Sequence, residues 1–223
     1  SEMCIRDRIN MIKNILFDMD GVLINTEPLH YRIWKQVMNE NGIDLDYEHY
    51  KDCIGSTRAF LYDLIKKGYG VDFHGNDTVG KRFHEIKEDI IKAEGVPRID
   101  GVIEVIHYLH DKGYHMAVAS SSAQNYIEAH MKELGLTDCF EVLFSAEKVK
   151  NPKPAPDVFL AATEKLNANP KECLVIEDSY NGSRAAKAAG MLCYGFKNPD
   201  SGNQDLSFAD KVFYPFINLK KML

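Results

Sequence analysis

Apolar positions along the chain follow two rhythms. Short apolar runs near 13–17, 114–119, 141–145, 173–176 and 191–196 are bounded by turn-forming residues and read as buried strands. Between them, 100–111, 123–134, 157–166 and 182–189 carry apolar residues at helical spacing, the last with an alanine face. This βα alternation predicts an α/β fold built on a doubly wound parallel sheet with right-handed crossovers. From 27 to about 94 the rhythm is helical alone. Tyr31, Trp34, Val37 and Met38 open it, helices follow near 58–67 and 79–93, and Gly68, Gly70 and Gly75 punctuate between them. The expected organisation is a core of 11–26 plus 96–223, interrupted by a helical cap at 27–95. The tail, 213–223, is expected to add a strand fragment and a helix.

Residues 1–8 fit no element. Their sequence matches the translation of a common sequencing adapter, so 1–10 are expected to be a non-native leader with Met11 the natural start. A net charge of −6 argues against a nucleic-acid partner, though a metal ion can still bring an anionic substrate to an acidic protein. The five cysteines are scattered, with neither a disulfide framework nor zinc-type spacing, which fits a reducing cytoplasm. No apolar run reaches the roughly 18 residues of a membrane span.

Chemistry-bearing residues gather where strands end. The first apolar run leads into Asp18 and Asp20, followed by Gly21. Side chains two apart on a strand share a face, so both carboxylates could meet one substrate and one metal ion; plain turn chemistry is the alternative. The second run ends in Ser120, Ser121 and Ser122 just before a helix, where hydroxyls and unpaired N–H groups suit a phosphate oxygen or simply cap the helix. After the third run, Lys153 sits among Pro152, Pro154 and Pro156. A stiffened lysine there could neutralise a phosphoryl group, or be a solvated loop residue. The fourth run ends in Glu177 and Asp178, an oxygen-donor pair that suits magnesium or, read blandly, a capping turn before Asn181 and Gly182.

Taken together and in this order, the four motifs resemble the haloacid dehalogenase superfamily over nearly the whole chain after Met11. More narrowly, the stretch from Asp18 to His30, the helical insertion, the serines at 120–122, the segment from Lys153 to Phe159 and that from Ile176 to Gly182 resemble its β-phosphoglucomutase-like phosphatases and mutases. The resemblance implies a Rossmann-like core with a helical cap. Asp18 would attack phosphorus to give an aspartyl-phosphate, and Asp20 would act as acid and then base. Ser120 and Lys153 would clamp the phosphoryl oxygens. Mg²⁺ would sit among Asp18, the Asp20 backbone carbonyl and Asp178, with Glu177 a ligand or a supporting partner. Asp20 favours phosphoryl transfer over dehalogenation, because an alkoxide needs a proton to leave and a halide does not.

Substrate choice would rest with the cap. Asn25 stands where the family pattern usually has aspartate. Thr26 and His30 match positions that orient the acid/base residue, although His30 could equally face solvent. Gly55, Ser56, Thr57 and Arg58 resemble the segment whose arginine holds a second phosphate, and an ordinary surface arginine is the alternative. Ser121 and Asn181 are further substrate-binding candidates. No second cap cation can be chosen among Lys81, Arg82 and Lys87. The expected activity is a Mg²⁺-dependent, cytoplasmic and monomeric phosphatase of a small phosphorylated metabolite, probed neither by nucleic acid nor by membrane. A β-phosphoglucomutase is the alternative, and a non-catalytic phospho-accepting module the more distant one.

Overall fold

The computed structural model describes residues 8–54 and 57–223. The expected leader therefore lies outside the described residues as far as residue 7, and so do Gly55 and Ser56 of the cap segment. The chain divides into two units. One comprises the residues up to Ile24 with Arg98–Asn198 and Asn203–Leu223; the other comprises Asn25–Pro97 and Pro199–Gly202.

In the first unit the described residues form a six-stranded sheet in the order β3-β2-β1-β4-β5-β6. The strands are β1 Asn14–Phe17, β2 His115–Ser120, β3 Val142–Ser145, β4 Cys173–Glu177, β5 Leu192–Phe196 and β6 Lys211–Phe213. Every neighbouring pair is parallel. The strand order reverses at β1, between β2 and β4, and such a switch point opens a crevice at the carboxyl ends of the strands. β1 is apolar throughout because both of its faces are covered and all four of its residues are buried. Leu16, Ala117 and Val175 share one face with the buried Val158, Phe159, Ala162, Ala185 and Ala186, and the three alanines let the helices approach the sheet closely. On the other face, Phe17 meets Phe140 edge to face at 5.9 Å.

The helices, in chain order, are α1 Thr26–Glu40, α2 Arg58–Tyr69 and α3 Asp77–Glu94 in the second unit, then α4 Val102–Asp111, α5 Gln124–Glu133, α6 Asp157–Lys165 and α7 Tyr180–Ala188 in the first. A one-turn helix, Tyr47–Tyr50, and a 3-10 turn, Lys51–Cys53, join α1 to α2 and carry too few residues for a periodic signal. α7 starts two residues earlier than its alanine face suggests, because the Ser179 hydroxyl accepts a hydrogen bond from the Gly182 amide at 3.0 Å and so fixes the start. The tail helix is a 3-10 run, Phe216–Lys221. Its anchors Phe216 and Leu219 are buried and three residues apart, which suits a three-residue period. The chain changes unit at 24/25 and 97/98 rather than at 26/27 and 95/96, and Pro199–Gly202 falls with the helical unit. Asn25 accounts for both differences: its amide donates to the Pro97 carbonyl at 2.8 Å and its side chain to Asp200 at 2.7 Å.

The second unit has its own core. α1 buries Leu29, Ile33, Trp34, Val37 and Met38 along one stripe, and Trp34 stacks on Phe83 of α3 with ring centroids 4.5 Å apart. The described cysteines, Cys53, Cys139, Cys173 and Cys193, are buried and form no disulfide with one another. No helix among the described residues is long and apolar enough to cross a membrane.

Trp34 is the single tryptophan of the chain, so its fluorescence reports the helical unit alone. Phe83→Ala removes its stacking partner from a buried site. The expected result is a red-shifted emission and a fluorescence transition in urea at lower concentration than the far-UV circular dichroism transition, which both units feed. Coincident transitions in the variant would show that the two units unfold as one.

Candidate active site

Because β1 pairs with both β2 and β4, the residues leaving these three strands emerge side by side. Asp18 follows β1 and continues the ladder for one more bond, its amide donating to the Ile176 carbonyl at 3.0 Å. Glu177 ends β4 and Asp178 follows it; all three carboxylates are buried. Lys153 comes in from the loop after β3, next to the cis peptide bond to Pro154. Its ammonium donates to Asp18 Oδ1 at 2.7 Å and Glu177 Oε1 at 2.8 Å, and lies 3.3 Å from the Ala119 carbonyl. The side chain is 7% exposed and its Nζ is 4.7 Å from the Phe159 ring centre, so it is no solvated loop lysine.

Glu177 is held on every side. Its Oε2 accepts from the Asp178 amide, the Ser179 amide and the Ser179 hydroxyl, each at 2.9 Å. Residue 182 has to be glycine here, because a Cβ would overlap the Glu177 carboxylate. Gly21 is constrained twice over: its φ is +81°, and a Cβ would run into the Asp178 carboxylate.

The charges do not balance. Asp18, Glu177 and Asp178 offer oxygens within 4.8 Å of one another, and one ammonium, Lys153, bonds to two of them. Burial, reinforced by the charge of Glu177 and more weakly by that of Asp20, pushes the Asp18 carboxyl up to about 7 against the pull of Lys153. Burial disfavours the Lys153 ammonium as well, but Asp18 and Glu177 outweigh it and hold its proton more tightly than usual. A buried, all-oxygen, surplus-negative donor set is what a hard divalent cation requires, so the residues present fit such an ion.

Asp20 lies just outside this cluster, where the Ser122 hydroxyl donates to its Oδ2 at 2.6 Å. Ser120 is buried, and its oxygen accepts from the Ser122 amide at 3.1 Å, an accepting role that leaves its own proton for an incoming oxygen. Ser121 and Asn181 are exposed beside these loops. Of the three serines after β2, Ser122 is the one tied to Asp20, a pairing that no local pattern announces.

In the helical unit Thr26 is buried at the start of α1. His30 does not face solvent: its Nε2 is 3.2 Å from the Lys87 ammonium and its Nδ1 3.9 Å from Glu27. Lys87 is thus the cap cation that reaches a candidate residue, whereas Arg82 is taken up by Glu40 and Glu85. Glu27, His30, Trp34, Arg58, Phe83 and His84 line a cavity of about 220 Å³ within this unit. Burial, with the charges of Lys87 and Arg58, holds His84 below the usual histidine range.

The description of the haloacid dehalogenase-like hydrolases matches residues 15–196. The chain belongs to that family. Fructose-1-phosphate phosphatase YqaB of Escherichia coli is 30% identical over 182 residues, covering 79% of this chain and 92% of that protein. Hexitol phosphatase B of the same species is 32% identical over 195 residues, covering 84% and 85%. The crystal structure of β-phosphoglucomutase from Clostridium difficile superposes with a TM-score of 0.71 at 26% identity, covering 93% of each chain. These relatives place the protein among the β-phosphoglucomutase-like branch of the family, whose members are phosphoric monoester hydrolases and mutases.

The raised Asp18 pKa carries a sign that can be checked. A carboxyl that keeps its proton to about pH 7 when folded, against an ordinary 3.8, stabilises the fold fully at low pH and loses that contribution as pH rises through 7. Asp18→Asn is therefore expected to raise the Tm of the metal-free protein at pH 8 by several degrees, and the gap is expected to shrink on going to pH 5. An equal shift at both pH values would mean that the carboxyl is ionised throughout.

Proposed function

We propose that the protein is a Mg²⁺-dependent phosphatase that hydrolyses a small phosphate monoester of the sugar or sugar-alcohol class through an aspartyl-phosphate on Asp18. The observation that carries this reading is the buried cluster of Asp18, Glu177 and Asp178 with one ammonium, a site with room in its charge balance for a divalent cation and a nucleophile already held in place. Asp18 and Asp178 would hold the ion. Glu177, with four donors on its two oxygens, serves to brace Lys153 and the β4 end. When bound, the ion would offset the repulsion between the Asp18 carboxylate and the anionic phosphoryl group.

The remaining work belongs to the chain. Lys153 holds Asp18 in place through Oδ1 and offers its positive charge to the transferring oxygens. An Asp18 oxygen bonds to phosphorus as the ester P–O bond breaks, and Asp20 gives its proton to the departing alkoxide. The Ser122 hydroxyl, which donates to Asp20 Oδ2 at 2.6 Å, orients that carboxyl. Asp20 then takes a proton from the water that attacks phosphorus, and phosphate leaves with Asp18 restored. Relatives that act on fructose 1-phosphate and hexitol phosphates support the substrate class.

A mutase is the second reading, favoured by one feature: the cavity offers the Arg58 guanidinium, with Lys87 behind His30, to a second phosphate. The deciding experiment is ³¹P NMR with fructose 1-phosphate, a hexitol phosphate and, separately, β-glucose 1-phosphate with a trace of glucose 1,6-bisphosphate. Inorganic phosphate should appear with Mg²⁺, vanish on removal of metal by EDTA, and be absent with Asp18→Asn. Accumulation of glucose 6-phosphate instead would make the protein a mutase, and no turnover of any ester would leave it a phospho-accepting or binding module. Arg58→Ala should alter hydrolysis of the monophosphates by less than about threefold, yet lower any mutase product by at least about tenfold. Equal losses on both would end this division between the two readings.

A further inference from the structure

Asn25 is at the amino-terminal cap of α1, a position where asparagine is among the preferred residues because its side chain can accept from the first helical amides. It makes no such bond. Its Nδ2 donates instead to Asp200 Oδ2 at 2.7 Å, and its backbone amide donates to the Pro97 carbonyl at 2.8 Å. One residue thus ties together the three places where the chain enters or leaves the helical unit: position 25 itself, position 97, and the segment Pro199–Gly202. That segment is packed as well as bonded. Ser201 is buried, and Gly202 comes so close to Ile54 that a Cβ would stand 3.3 Å from its side chain.

Immediately before the segment, Asn198 belongs to the sheet unit, is buried, and donates from Nδ2 to the Gly21 carbonyl at 3.0 Å. Gly21 is the residue after Asp20. The turn around it is closed by backbone bonds, the Gly21 amide to the Ile24 carbonyl and the Val22, Leu23 and Ile24 amides to the Met19 carbonyl, and the Asn198 bond to the Gly21 carbonyl is the side-chain hold that comes from the distant segment. The Asn198 hold on that turn and the Asp200 hold on Asn25 are two residues apart on one short stretch of backbone.

We propose that Asn25 and Asp200 form a latch gathering the chain passages of the helical unit, and that Asp200, through Asn198 and the Gly21 carbonyl, is a positioning residue for Asp20. The bond is directional. Asn25 must donate and Asp200 must accept, so an aspartate at 25 opposes two carboxylates at hydrogen-bond distance, whereas exchanging the two side chains restores a donor and an acceptor. The inference rests on the proposed acid role of Asp20, and its test separates the two.

The experiment compares Asn25→Asp, Asp200→Asn and the exchanged double variant with the parent protein in Mg²⁺, using fructose 1-phosphate and p-nitrophenyl phosphate. kcat/KM reports the step in which the ester bond breaks, and nitrophenolate leaves with little need of a proton. Asn25→Asp should lower kcat/KM for the sugar phosphate by at least about tenfold and for the nitrophenyl ester by less than about threefold, and the double variant should recover to within about threefold of the parent. A loss of equal size on both esters, or a double variant no better than Asn25→Asp, would overturn the proposal. Amide exchange at Gly21, Val22 and Leu23 gives a readout free of any substrate. It should accelerate about tenfold in Asn25→Asp and return in the double variant. Unchanged exchange would overturn the latch, whereas a parent protein inactive on both esters would overturn the phosphatase reading and leave the exchange result to decide the latch.

Discussion

The arrangement of the sheet unit follows from the burial of more negative charge than its lysine can answer. Removing a carboxylate from water costs several kcal/mol unless cations and donors replace the lost solvation. Here Lys153 bridges Asp18 and Glu177, and the Ser179 hydroxyl with two backbone amides completes Glu177. Asp18 retains an oxygen outside the Lys153 bond, and its raised pKa is the signature of that incomplete compensation. A stability-maximising sequence would place an amide there. The surplus of buried oxygen donors is compatible with a hard cation completing the site.

Several details of packing are consequences of this one demand. Gly182 sits inside a helix, where glycine costs about 1 kcal/mol relative to alanine, because Glu177 occupies the volume a Cβ would need. Ser179 begins α7 and in the same stroke lends its hydroxyl to Glu177, so the helix start and the carboxylate brace are one structure. Lys153 runs over the Phe159 ring of α6 on its way in, which shields the ammonium from water and sharpens its attraction for the two carboxylates. The β3 loop, α6 and α7 are thereby fixed relative to the β1–β4 switch point by polar contacts as well as by the apolar core.

The sequence carried the parts of the site that lie at strand ends. Asp18, Lys153, Glu177 and Asp178 each follow an apolar run, and the parallel topology that those runs imply brings their carboxyl ends to one edge. What it did not carry are partners made by long-range register: Ser122 to Asp20 across 102 residues, Asn198 to Gly21 across 177, Asn25 to Asp200 across 175 and Lys87 to His30 across 57. None of these residues differs in its local pattern from an ordinary serine, asparagine or lysine on a helix or loop. Lys153 shows the converse error: proline-rich surroundings made a solvated loop equally plausible, and burial to 7% decided otherwise. The segment Pro199–Gly202 was read with the core because it lies between two core strands in the chain, although its contacts are with the helical unit.

Asn25 shows why such departures are informative. Read alone, a residue that differs from a family pattern at the edge of an active-site motif suggests lost function, since it removes one charge near the proposed metal. In the fold the side chain points away from capping duty and into a charge-assisted bond with Asp200. An amide facing a carboxylate is a more selective pairing than two carboxylates sharing a proton, because it needs no proton to be shared. Under the proposed latch, the departure reads as a donor matched to an acceptor 175 residues away in the chain.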